Sequence, residues 1–179
     1  MKLNSIGRLF IFGVCLLFAS FTHAQTPNDD GFAFGFGHRV AGSYLIENLA
    51  IPEAGLDSLQ ALASMTSDGV VIVTDTDDFG LAATAPHSPK LGAWKPTGHR
   101  DIAITIIEFA YEPIMGEHIF TWRLEMAGQF ADRSFNAGTG TLVAKLFPPV
   151  TFGGFDPLDP NSAPLLEIGG TFDFRRIKP

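Results

Sequence analysis

One carboxylate in this chain of 179 residues lies where its neighbours would change its chemistry. Glu108 falls in step with Ile102, Ile104 and Ile106 along Arg100 to Tyr111, and residues two apart share one face of a β-strand. The next stretch, Glu117 to Phe130, follows a turn at Glu112-Pro113-Ile114-Met115-Gly116. With Tyr111 opposite Glu117, Phe109 faces Ile119, Thr105 faces Arg123 and Ala103 faces Glu125 on one side of this pair. The other side gathers Ile102, Ile104, Ile106 and Glu108 with His118, Phe120, Trp122, Leu124 and Met126, and is the side expected to point inward. A carboxylate there would hold its proton more tightly, because burial disfavours the charged form. Such a group is a candidate to move a proton or to fix a polar group of a bound molecule. The plainer alternative places Glu108 near the strand end, reaching solvent or pairing with His118. A slip of one residue in register would turn it outward.

The other chemistry-bearing residues form no recognisable constellation. His38, His87, His99 and His118 show no metal-ligand spacing, and there is no H-E-x-x-H helix motif. Ser88, beside His87 in a Pro-flanked stretch, lacks the strand-turn-helix setting of a hydrolase nucleophile, so His87-Ser88-Pro89 reads as a turn. Asp75, Asp77 and Asp78 crowd another turn but lack the glycine and closing glutamate of a calcium loop. Gly31 to Gly37 (GFAFGFG) is not set between strand and helix as a phosphate loop would be. No metal, cofactor or assigned catalytic residue is expected. If the protein is an enzyme, Glu108 is the catalytic candidate.

The elements that would carry these residues are strands. Turn signals recur between short stretches rich in β-branched and aromatic residues, and helical periodicity is nearly absent. Strands are expected at Ala41–Leu49, Leu59–Met65, Val70–Thr74, Leu91–Lys95, Arg100–Tyr111, Glu117–Phe130, Ser134–Phe147 and Leu165–Lys178. Ser67-Asp68-Gly69 marks a tight hairpin between the second and third. About eight antiparallel strands of this length can close into a single up-and-down β-barrel, all-β, with room inside for side chains or one small ligand. An open sandwich is the alternative. Residues 25–39 form a flexible Gly/Phe-rich arm in which the Phe-Gly alternation fits a strand or an aromatic segment packed on the domain, and residues 40–179 form the barrel. The Pro- and Gly-rich stretch from Pro148 to Pro164 is long for a β-connection, so either a lid carrying Phe152 and Phe155 or a mobile linker fits it.

Residues 1–24 read as an export signal: Lys2 and Arg8 precede an apolar run from Leu9 to Phe21, which ends in Thr22-His23-Ala24. The run is short for a membrane span, and no charged cluster follows it to hold the chain in a bilayer. Cys15, the single cysteine, lies inside this run after Val14 and not after the small residue that lipid attachment needs. Cleavage after Ala24 changes the formal charge from −7 to −9 and leaves no cysteine, so no disulfide or thiolate chemistry remains. An acidic chain without clustered Lys and Arg is a poor match for nucleic acid. With 46% hydrophobic and 17% charged residues, the chain has the means to bury a core.

Gly42-Ser43-Tyr44 on the first strand and Arg175-Arg176 on the last resemble the lipocalin and calycin pattern, with Tyr44 standing where that pattern has tryptophan. Ser67-Asp68-Gly69-Val70, Ser88-Pro89-Lys90-Leu91-Gly92-Ala93-Trp94 and Thr97-Gly98 are similar to small exported bacterial barrel proteins of that kind. The resemblance spans Val40 to Ile177. It implies an up-and-down barrel with a hydrophobic calyx for a small apolar molecule, and neither a cofactor nor catalytic residues. The binding residues expected are Trp94, Ile104, Ile106, Glu108, His118, Phe120, Trp122 and Leu124, with Glu108 or Tyr111 fixing one polar group. The alternatives are a cofactor-free isomerase or cyclase that works through Glu108, and a filled barrel that contacts another exported protein.

Overall fold

Each expected strand forms, with its buried and exposed side chains alternating as β-structure requires. The computed structural model describes residues 30–54, 56–75, 85–149 and 156–178. The proposed signal, Asp77 and Asp78, and Phe152 and Phe155 lie outside the described residues. A helix, α1 (Asp30–Val40), leads into strands β1 (Gly42–Ile51), β2 (Leu56–Met65), β3 (Val70–Asp75), β4 (Lys90–Pro96), β5 (Asp101–Tyr111), β6 (His118–Phe130), β7 (Ala137–Phe147) and β8 (Leu166–Arg176). Every strand pairs antiparallel with the next, and β8 pairs back onto β1, closing a barrel. Closure gives each strand a hydrogen-bonded neighbour on both sides.

The two ends of the barrel are filled differently. At the end where β1 starts and β8 finishes, Tyr44, Phe130, Phe135 and Phe174 pack edge to face, with Phe130 5.0 Å from Phe174 and 5.1 Å from Phe135. Gly138 makes room for this cluster, because a Cβ there would collide with the Phe174 ring. Helix α1 plugs the same end with Phe36 and Val40, both fully buried. Phe36 meets Phe135 edge-on at 5.2 Å and lies 6.4 Å from Trp94. Trp94 is tied down through its Nε1, which donates to the Thr66 carbonyl at 2.9 Å.

A helix stands where Gly31 to Gly37 suggested a strand or an aromatic segment packed on the domain. Its three glycines disfavour helix intrinsically. The four-residue spacing of Phe36 and Val40 puts both on one helical face, and their burial in the barrel end overrides that preference.

The β1–β8 seam is held by side chains as well as by its ladder. Arg175 makes a two-pronged pair with Glu47, at 2.9 and 3.0 Å. The Arg176 guanidinium lies 5.4 Å from the centre of the Tyr44 ring and donates to the carbonyls of Arg39 and Ala41 at 2.7 and 2.5 Å. Gly42 is required at this contact: its φ is 151°, and a Cβ would lie 3.1 Å from Arg176 Nη2. On the outer wall, Arg123 donates to the carbonyls of Pro157 and Asp159, pinning the described part of the β7–β8 connection against β6.

The register of β5 on β6 differs by two residues from the expected one: Glu108 faces Trp122, Ile106 faces Leu124 and Ile104 faces Met126. The turn sets the first of these residues, since Glu112 N donates to the Glu117 carbonyl and Tyr111 pairs with His118. A β-bulge at Ile119 supplies the second, because Ala110 already pairs with Phe120. Two slips restore the original face, so Phe120, Trp122, Leu124 and Met126 still point inward. His118 precedes the bulge and is left outside.

Candidate functional site

The half of the barrel opposite the plug is hollow. A cavity of about 320 Å³ opens between the ends of the strands. Most of its wall is apolar: Leu49 and Ile51 from β1, Trp122, Leu124 and Met126 from β6, Leu142 and Ala144 from β7, and Ile168 from β8. Phe120 is 39% exposed and reaches into this space from the rim.

The wall formed by β3, β4 and β5 is chemically different, because Asp75, His87, Lys90 and Glu108 all line it. Alternation explains three of them. Asp75 continues the inward series Val71 and Val73, Lys90 is in phase with Trp94, and Glu108 follows Ile102, Ile104 and Ile106. His87 arrives differently. Pro86 and Pro89 have no N–H to donate, and the chain between them pairs beside β5 through Ser88, whose N–H donates to the Phe109 carbonyl while its Oγ accepts from the Phe109 N–H. The adjoining bridge of His87 to Ala110 aims the imidazole inward.

Lys90 Nζ lies 3.0 Å from Glu108 Oε1 and 3.2 Å from Asp75 Oδ2. His87 Nδ1 lies 2.5 Å from the same Glu108 oxygen. All four side chains are at most a tenth exposed. Removing charges from water is costly unless they are paired, and here one ammonium spans two carboxylates while an imidazole nitrogen lies close to one of them. The contact through Nδ1 fixes the imidazole orientation. The arrangement can hold a polar group at one side of an otherwise greasy space, and it sets two groups able to exchange a proton, His87 and Glu108, side by side. Among the described residues, no group of three or more His, Cys, Asp or Glu side chains is arranged to hold a metal ion.

Of the residues expected to bind, Ile106, Glu108, Phe120, Trp122 and Leu124 line the cavity. Three do not. Trp94 belongs to the plugged end, Ile104 is buried below the cavity floor, and His118 stacks outside on Phe109 at 5.0 Å while its Nε2 contacts the Phe120 carbonyl at 2.8 Å. Tyr111 lies beside His118, at 6.0 Å between rings, and also away from the cavity. Glu108 is paired with His87 and Lys90, and not with His118. Asp75, His87 and Lys90 were missed. The parity of Val71, Val73 and Asp75 was a usable signal for the first, and that of Lys90 with Trp94 for the third. His87 follows an interrupted ladder that carries no such signal. The chain matches no protein-family model, no curated protein and no solved structure.

Proposed function

We propose that this protein is an exported barrel that encloses one small, largely apolar molecule and fixes a single polar group of it against Asp75, His87, Lys90 and Glu108. The observation that carries this reading is the hollow half opposite the plug, apolar on most of its wall and ionic on one side, the usual composition of a small-molecule site. Export rests on the residues from Lys2 to Ala24. The lipocalin-like reading is supported by the contact of Gly42 and Tyr44 with Arg176.

The chain has two tryptophans, and only Trp122 lines the cavity. In a Trp94→Phe variant, titration with decanol is expected to change Trp122 emission saturably, with one molecule bound per chain. An emission unchanged up to the solubility limit of decanol would overturn the proposal.

A second reading, a cofactor-free isomerase or cyclase, is favoured by the contact of His87 Nδ1 with Glu108, an acid and a base already in place beside an apolar pocket. In a carrier, Glu108→Gln leaves the affinity for a neutral ligand within a few-fold. In a proton-transferring enzyme the same change removes most of the turnover.

A further inference from the structure

The charges around the cavity select the ligand's head group. Within the cavity, Asp75 and Glu108 contribute two negative charges, Lys90 contributes one positive charge, and His87 adds another only when protonated. In either protonation state the cluster has no surplus positive charge to offer an anion. A ligand carboxylate would bring a third anion into a space where charges interact strongly.

The connections at the same end of the barrel repeat this bias. Those joining β1 to β2, β5 to β6 and β7 to β8 carry Glu53, Glu112, Glu117, Asp156 and Asp159 among the described residues, and neither Lys nor Arg. Residues 76–84 and 150–155, which lie outside the described residues, contain no Lys, Arg or His in their sequence. Arg123 and Lys145, on the outer wall of β6 and β7, are already paired with Glu125 at 2.9 and 2.8 Å. The plugged end is mixed, with Arg39, Arg100, Arg133 and Arg176 interspersed with Asp68, Asp101 and Asp132. A positively charged molecule therefore meets a favourable potential at the mouth, and an anion an unfavourable one.

We infer that the cavity takes a lipophilic cation, a protonated amine on an apolar body, in preference to the matching alcohol or carboxylate. The ammonium group sits against Glu108 and Asp75 while the hydrocarbon lies along Trp122 and Leu124. This inference rests on the proposed enclosure of a small apolar molecule.

The test is calorimetric titration of the protein at neutral pH with decylamine, decanol and decanoate, three probes with one chain and three head groups, each below its micelle concentration. Decylamine is expected to bind at least about tenfold more tightly than decanoate at low salt, with decanol between them, and the gap narrows as ionic strength shortens the reach of the charges. Glu108→Gln lowers the preference for decylamine over decanol several-fold, read as the ratio of the two affinities within the same variant. Equal binding of the three probes, or tighter binding of decanoate, would overturn the inference while leaving the enclosing cavity intact. Heat-silent titrations with all three, confirmed by an unchanged Trp122 emission, would remove the enclosing cavity and this inference together.

Discussion

Lys90 is the residue on which the hollow end depends electrostatically. It is 4% exposed and bridges Asp75 and Glu108, so removing its charge leaves two carboxylates facing each other in an apolar wall. Lys90→Met is expected to lower the unfolding free energy by about 3–5 kcal/mol, measured by urea denaturation. Adding Asp75→Asn and Glu108→Gln to that variant restores most of the loss, because the buried charge goes with them. A Lys90→Met protein as stable as the parent would show that these charges are solvated and not buried. Glu108 was legible because it ends an unbroken inward series of isoleucines. Lys90 shares the phase of Trp94 but is easily passed over, because Pro89 precedes it and masks the start of its strand. His87 belongs to a stretch whose pairing relies on a serine hydroxyl in place of a regular ladder, and no periodicity in its neighbours could announce it.

Helix α1 and the β1–β8 seam decide whether eight strands stay a barrel. Phe36 is 1% exposed between Phe135 and Trp94, and Phe36→Ala should cost about 3–5 kcal/mol, as large truncations in a packed core do. The same variant should keep its affinity for decanol, since the cavity lies at the far end, and a parallel loss of binding would mean that the two halves are not independent. At the seam, Gly42→Ala is expected to cost about 1–3 kcal/mol, from backbone strain at positive φ together with crowding of Arg176. The elements themselves were largely readable. Asp68-Gly69 sits in the β2–β3 turn, with Gly69 at φ 96°, and Val70 to Thr74 leave little choice but strand. The β5–β6 register was not readable, since turn length and a bulge fix it and neither has a residue pattern of its own. The helix was missed because its stability is tertiary: without the open barrel end, a segment with glycines at 31, 35 and 37 has little reason to coil.

For the molecule as a whole, the titrating groups bound a range of pH in which the barrel is most stable. The Arg175 guanidinium beside Glu47 holds that carboxyl below the usual carboxylate range, and hydrogen bonds from Thr66 to Asp68 and from Ser134 to Asp132 do the same for those two. As pH falls through that range the unfolded chain takes up these protons first, so the stability they contribute is present above it and is lost on acidification. Burial raises the Tyr44 hydroxyl above its ordinary value, against the opposing pull of Arg176. The unfolded chain therefore loses that proton first, and stability declines as pH climbs beyond about 10. Denaturation midpoints measured across pH should form a plateau with two falling limbs. Glu47→Gln makes the acid limb shallower, and Tyr44→Phe makes the alkaline limb shallower. Limbs unchanged in both variants would place the controlling groups elsewhere.

The route of the chain also governs how the barrel meets its surroundings. Because Arg176 grips the backbone of Arg39 and Ala41, strand entry and strand exit lie side by side at the stoppered pole, remote from the opening. Anything tethered just outside either flank hangs from that pole. A surface to which the protein is grafted by those flanks would thus leave its aperture turned towards the surrounding fluid.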